Sequence, residues 1–99
     1  MDVVKSRNDV PIRLTKERWF HITEGHPEMA GYYFEVLEIL EEPDVIYEGK
    51  RGEKIAVKDI GNGKYIAVIY RELDGDGFVI TAFLTEQRKQ LERRLEIWK

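Results

Sequence analysis

Apolar positions recur with a helical period in the first half of this chain and with a two-residue period in the second. The segment Val10 to Leu14 reads as an extended lead-in. Thr15 follows as a helix N-cap, its hydroxyl suited to accept an orphan backbone N–H. The helix it opens presents Trp19, Phe20 and Ile22 inward and ends at Gly25, a residue suited to the left-handed position after a last turn. His26 falls in the joint, and Pro27 fits the first turn of a second helix. There Met29, Tyr33, Val36, Leu37 and Leu40 recur at three- and four-residue intervals, one apolar stripe that Pro43 ends.

The period then changes. "DVIYEG" is a short strand, and Gly49 to Gly52 is turn material. "EKIAVKDI" alternates, with Ile55 and Val57 on one face and Lys54, Ala56 and Lys58 on the other. Gly61 to Gly63, "GNG", supplies the positive-φ residues of a tight hairpin. "KYIAVIY" is apolar enough for a central strand buried on both faces, "LDGDG" turns the chain, and "FVITAFL" makes a fourth strand. The closing "TEQRKQLERRLEIWK" reads as a helix capped by Thr85, with Leu91, Leu95 and Trp98 at helical spacing. The expected fold is α+β: two N-terminal helices, a four-stranded antiparallel meander sheet, and a C-terminal helix packed on the sheet. One domain is expected over 1–99, with its core in 10–98, as suits a chain of this length.

Composition narrows the function classes. Hydrophobic residues make up 42% and charged residues 35%, which belongs to an ordered domain rather than a disordered segment. No apolar run approaches the ~20 residues that cross a bilayer, so no membrane association is expected. The first residues lack the apolar core and small-residue cleavage site of a secretion signal. With no cysteine, disulfides and thiolate metal sites are excluded, and a cytoplasmic location is expected. The net charge of −3 weighs against a nucleic-acid partner, whose affinity comes largely from Lys and Arg. The acid is concentrated, however, at Glu35, Glu38, Glu41, Glu42 and Asp44, while base is spread over Lys50, Arg51, Lys54, Lys58, Lys64 and Arg71. A local cationic groove on an acidic domain is compatible with that distribution.

Two motifs with a metal-like look do not hold up. His21, Glu24 and His26 lack the spacing that sets two imidazoles on one helical face. The "DGDG" of Asp74 to Gly77 runs into a strand and has no glutamate at the twelfth position of a calcium loop. Neither metal nor cofactor is expected.

Leu14–Thr15, His21–Ile22, His26–Pro27, Pro43–Asp44, Lys64–Tyr65 and Thr81–Ala82 follow one another at spacings that cover most of the chain. In that order they resemble the phage barnase–EndoU–colicin–RelE-like nuclease domains. The resemblance implies a small metal-independent endoribonuclease, either a toxin with a neutralising antitoxin protein as partner or a mobile-element enzyme. It equally admits a catalytically inactive RNA- or protein-binding module on the same fold. The chain departs from the basic toxins of that group in its acidity and in lacking an arginine-rich strand.

Metal-free RNA cleavage needs a base for the 2′-hydroxyl proton, an acid for the leaving oxygen and a cation for the phosphorane. His26 and His21 are the only imidazoles, and histidine titrates close enough to neutrality for either role. His26 is favoured, because a helix N-terminus beside it would attract phosphate. His21 can equally be a half-buried residue bonded to backbone. Arg71 ends the central strand with a fork of donors suited to phosphate, and pairing with Glu72 or Asp74 is as good a reading. Thr81, a hydroxyl on the last strand, is the position that the resemblance supplies. Lys58, Lys64 and Tyr65 complete the set as substrate-binding candidates; edge-strand solubility and sheet packing are their ordinary alternatives.

Overall fold

The Thr15 hydroxyl accepts the Arg18 N–H at 3.0 Å, and helix α1 (Lys16–Gly25) follows from that cap. The computed structural model describes residues 1–92 and 95–98, with side chains through Lys89 and at Leu91. Helix α1 ends at Gly25, with His26 as its capping residue. Ile22 is buried, and Trp19, three residues earlier, packs beside it. Phe20 is 60% exposed, which corrects its expected inward position. Two residues from Ile22 is about 200° around the helix, so the two cannot share a face.

The second helix is also shorter than its apolar stripe implies. Pro27–Met29 form one 3₁₀ turn; Ala30 then opens into extended backbone and Gly31 takes a φ of 94°. Helix α2 (Tyr33–Glu41) starts only after that break and buries Val36, Leu37, Ile39 and Leu40.

Strands β1 (Asp2–Lys5), β2 (Pro11–Leu14), β3 (Val45–Glu48), β4 (Lys54–Gly61), β5 (Lys64–Leu73), β6 (Asp76–Thr85) and β7 (Leu95–Trp98) form one sheet in the order β1-β2-β6-β5-β4-β3-β7. This corrects the expected four-stranded antiparallel sheet closed by a C-terminal helix. The sheet is mixed: β2 runs parallel to β6, with Ile12 opposite Gly77 and Arg13 opposite Phe78, while every other pairing is antiparallel. Strand β1 has four residues, too few for a period to show, and is set by a turn in which Asp9 takes φ 65°. At the β2–β6 seam glycine is required by close approach. A Cβ on Gly77 would lie 2.4 Å from the Arg71 carbonyl oxygen and 2.6 Å from Ile12 Cδ1.

At the C-terminus a five-residue helix α3 (Arg88–Glu92) replaces the expected long one, and β7 pairs antiparallel with β3. Leu91, Leu95 and Trp98 do fit a helical period. The outer edge of β3, however, offers a row of backbone donors and acceptors, and β7 pairs with it. Arg93, Arg94 and the packing of the Leu95 and Trp98 side chains lie outside the described residues.

The core has two layers. On the helix side Ile12, Leu14, Ile22, Met29, Val36, Leu40, Ile66, Val68 and Tyr70 form one cluster. On the other side Val45, Tyr47, Ile55, Val57 and Ala67 form a second, joined by Leu91 from α3. No helix among the described residues is long and apolar enough to cross a membrane.

Candidate functional site

Strand alternation assigns the candidates to faces. In β5 the even positions Ile66, Val68 and Tyr70 meet the helices, which leaves Tyr65, Ala67, Ile69 and Arg71 on the other face. The register puts Thr85 opposite Tyr65, Phe83 opposite Ala67 and Thr81 opposite Ile69. Tyr65, Thr81 and Phe83 therefore share the face away from the helices. Tyr65 and Phe83 are diagonal neighbours across β5 and β6, a relation that separates Cα atoms by about 7–8 Å.

His26 joins them from the side. Its ring centroid lies 5.9 Å from that of Phe83 at an interplanar angle of 35°, and its Nδ1 is 3.5 Å from Glu28 Oε2. It is 40% exposed. The expected helix N-terminus is not beside it, because α2 begins at Tyr33 and only the single 3₁₀ turn follows His26. His21 takes its partners within α1, with Nδ1 3.6 Å from Glu24 and Nε2 4.0 Å from Glu17. The two imidazoles are thus engaged by separate sets of groups.

The cations are dispersed. Lys58 lies on the helix side of β4, where its Nζ meets Glu38 Oε1 at 3.4 Å and the Glu42 carbonyl at 3.2 Å. Arg71 donates from Nη1 to the Arg51 carbonyl at 3.1 Å. It stands four residues along β5 from Ala67, about 13 Å at strand rise, and so away from the His26–Phe83 pair. Lys64 is exposed at the Gly61–Gly63 hairpin, where Gly61, Asn62 and Gly63 all take positive φ.

What gathers around Tyr65 was not expected from the sequence. The Thr85 hydroxyl accepts the Gln87 N–H at 3.0 Å and turns the chain back over β5. Arg88 is thereby set above the Tyr65 ring, its guanidinium carbon 5.5 Å from the centroid. Hydrogen bonds to the Tyr65 and Tyr47 hydroxyls push the Arg88 pKa above its usual value, against the opposing effect of burial. An open pocket of about 520 Å³ lies here, lined by Gly63, Tyr65, Glu86, Gln87, Arg88 and Lys89. Its size is within the range of ligand sites. The signal available in the sequence was Thr85: a hydroxyl that ends a strand opposite Tyr65 brings whatever follows it across that ring.

Charge is segregated in the same sense. Residues 16–42 carry seven carboxylates against two cations, a balance of −5, so the rest of the chain carries +2 of the total of −3. The helix layer is acidic, whereas Arg88 and Lys89 line the pocket together with Glu86. No protein-family model matches this chain, no curated protein matches it in sequence, and no solved structure matches it, so the functional reading rests on these residues.

Proposed function

We propose that this chain is a non-catalytic, cytoplasmic RNA-binding module that takes single strands on the sheet face opposite α1 and α2, beside α3. The observation that carries the reading is the Arg88 guanidinium held over the Tyr65 ring at the mouth of an open pocket that Lys89 also lines. Single strands are bound by aromatic rings on which bases stack and by cations that follow the phosphates. The His26–Phe83 ring pair extends the same strip toward the edge of β6. RNA, rather than another anion, is named from the motif order shared with the nuclease domains, and the absence of cysteine suits the cytoplasm.

Of the two readings that the resemblance admits, binding is better supported than cleavage. A phosphorane needs a cation within reach of the acid–base pair. Lys58 is engaged with Glu38 on the opposite face, and Arg71 stands along the strand from His26.

The test is fluorescence anisotropy with labelled single-stranded and duplex oligoribonucleotides, in EDTA, with the RNA recovered and sized afterwards. The single strand should bind with a salt-dependent affinity, the duplex should bind more weakly, and the RNA should come back intact. Arg88→Gln should weaken binding about tenfold, within the range of one stacked or cation–aromatic contact. Cleavage to 2′,3′-cyclic phosphate ends that disappears in His26→Ala would overturn the non-catalytic reading. No binding at low salt would overturn RNA recognition altogether.

A further inference from the structure

The aromatic residues of the helix layer do not end at the core. Trp19 and Tyr33 meet edge to face at 5.2 Å and 80°, and Tyr33 meets Phe34 in the same way at 5.5 Å and 86°. The Tyr33 hydroxyl is fixed to Asp2 of β1, which holds the row in place. The row leads from a half-buried indole to Phe34, which is 77% exposed, while Phe20 beside Trp19 is also open to solvent. Solvent-facing aromatic rings in a monomeric domain mark contact surfaces more often than a lone leucine does.

The surroundings say what kind of partner fits. Phe34, Glu38 and Glu41 fall at three- and four-residue spacing on the exposed stripe of α2, and Glu35 is adjacent. Glu38 meets Lys58, whereas Glu35 and Glu41 have no ion-pair partner among the described residues. On α1, Glu17 and Glu24 flank His21. With seven carboxylates and two cations over residues 16–42, this layer repels nucleic acid and anionic lipid alike.

We propose that the α1–α2 face docks a basic amphipathic segment of a partner protein, with Phe34 as the central anchor and the α2 glutamates meeting Lys or Arg. Charge complementarity selects the occupant. Exposed aromatic rings beside the α2 glutamates are matched by a helix with one apolar and one cationic face. This surface lies on the opposite side of the sheet from the pocket at Tyr65, so the two bindings are independent.

The experiment uses the full chain labelled for backbone amide NMR and two synthetic probes. One is an amphipathic helix of leucine and lysine; the other replaces every lysine with glutamate. The lysine probe should shift amides of Trp19, Phe20 and residues 33–41, and the glutamate probe should leave them in place. Phe34→Ser removes a side chain that is mostly in water, so the core stays closed; it should weaken the lysine probe about tenfold or more, as loss of an interface anchor does. Glu35→Gln with Glu41→Gln should weaken it further and flatten its salt dependence. Equal binding of both probes, shifts confined to other surfaces, or a Phe34→Ser variant that binds like the parent would overturn the proposal. So would a concentration-dependent dimer, lost in Phe34→Ser, which would make a second copy the occupant.

Discussion

The Ser6 hydroxyl donates to the carboxylate of Glu72, joining the turn after β1 to the far end of β5. Asn8 adds a bond from Nδ2 at 3.0 Å, and Lys54 Nζ stands 3.9 Å away. The Glu72 side chain is only 9% exposed, so these groups replace most of its water. Ser6→Ala should cost about 1.5–3 kcal/mol, the range for a buried bond to a charged group. Urea unfolding measures it, and a change smaller than about 0.5 kcal/mol would remove this link from the account of stability.

Tyr70 gives the opposite sign. It is fully buried, and its hydroxyl has no hydrogen-bond partner among the described residues. Burial, helped by the nearby Glu72 charge, pushes its pKa well above the ordinary tyrosine value. Tyr70→Phe removes an unsatisfied polar atom and keeps the ring, so stability should be unchanged or rise by up to about 1 kcal/mol. A loss larger than that, measured by thermal unfolding, would mean that the hydroxyl is satisfied in solution.

At the β2–β6 seam, Gly77→Ala should destabilise by about 1–3 kcal/mol, the usual cost of forcing extra volume into a packed site. One of the two groups in the way is backbone, which cannot swing aside. Gly25→Ala serves as the control, because a Cβ there meets nothing within 4 Å. If both variants unfold at the same denaturant concentration, the seam has room for a methyl group.

Tyr33 sets an alkaline limit. Burial, followed by its bond to Asp2 and the charge of that carboxylate, pushes the Tyr33 phenol up to about 12 from 10.0. Between those values the unfolded chain has lost this proton and the folded one keeps it. The contribution is therefore whole below pH 10 and disappears as pH rises through about 12. Unfolding midpoints of the parent should fall faster over that window than those of Tyr33→Phe. Parallel curves would show that Asp2 does not hold the phenol.

What could be read in the sequence was what neighbours in the chain decide. Thr15 capping α1 and the hairpin at Gly61–Gly63 each depend on a few adjacent residues; α1 also stops at Gly25, but without the left-handed backbone that a glycine there suggests. What could not be read depends on distant partners. Val10 to Leu14 looked extended, but nothing in it says that β6 lies alongside in the same direction. Leu91, Leu95 and Trp98 have helical spacing, yet the last two lie in a strand paired with β3, a partner more than forty positions away in the sequence. Phe20 was expected inward because it is apolar, although its angle from Ile22 forbids both being buried.

The candidate site divides along the same line. Alternation within β5 and within β6 is local, but that Tyr65 and Thr81 fall on one face is set by the register between the two strands, and His26 reaches that face through its contact with Phe83. The charge of Lys58 and the donor fork of Arg71 suit phosphate, but Glu38 and the Arg51 carbonyl occupy them. Nothing adjacent to Arg88 marks it out in the sequence; the turn at Thr85 does, by carrying it over the Tyr65 ring.

The parallel seam also fixes an order of assembly. Everything before Lys16 is synthesised first, yet its place beside β6 does not exist until the ribosome has delivered Thr85. Closing so long a loop is slow. The opening hairpin should therefore be the last piece to acquire amide protection when refolding is followed by pulsed hydrogen exchange.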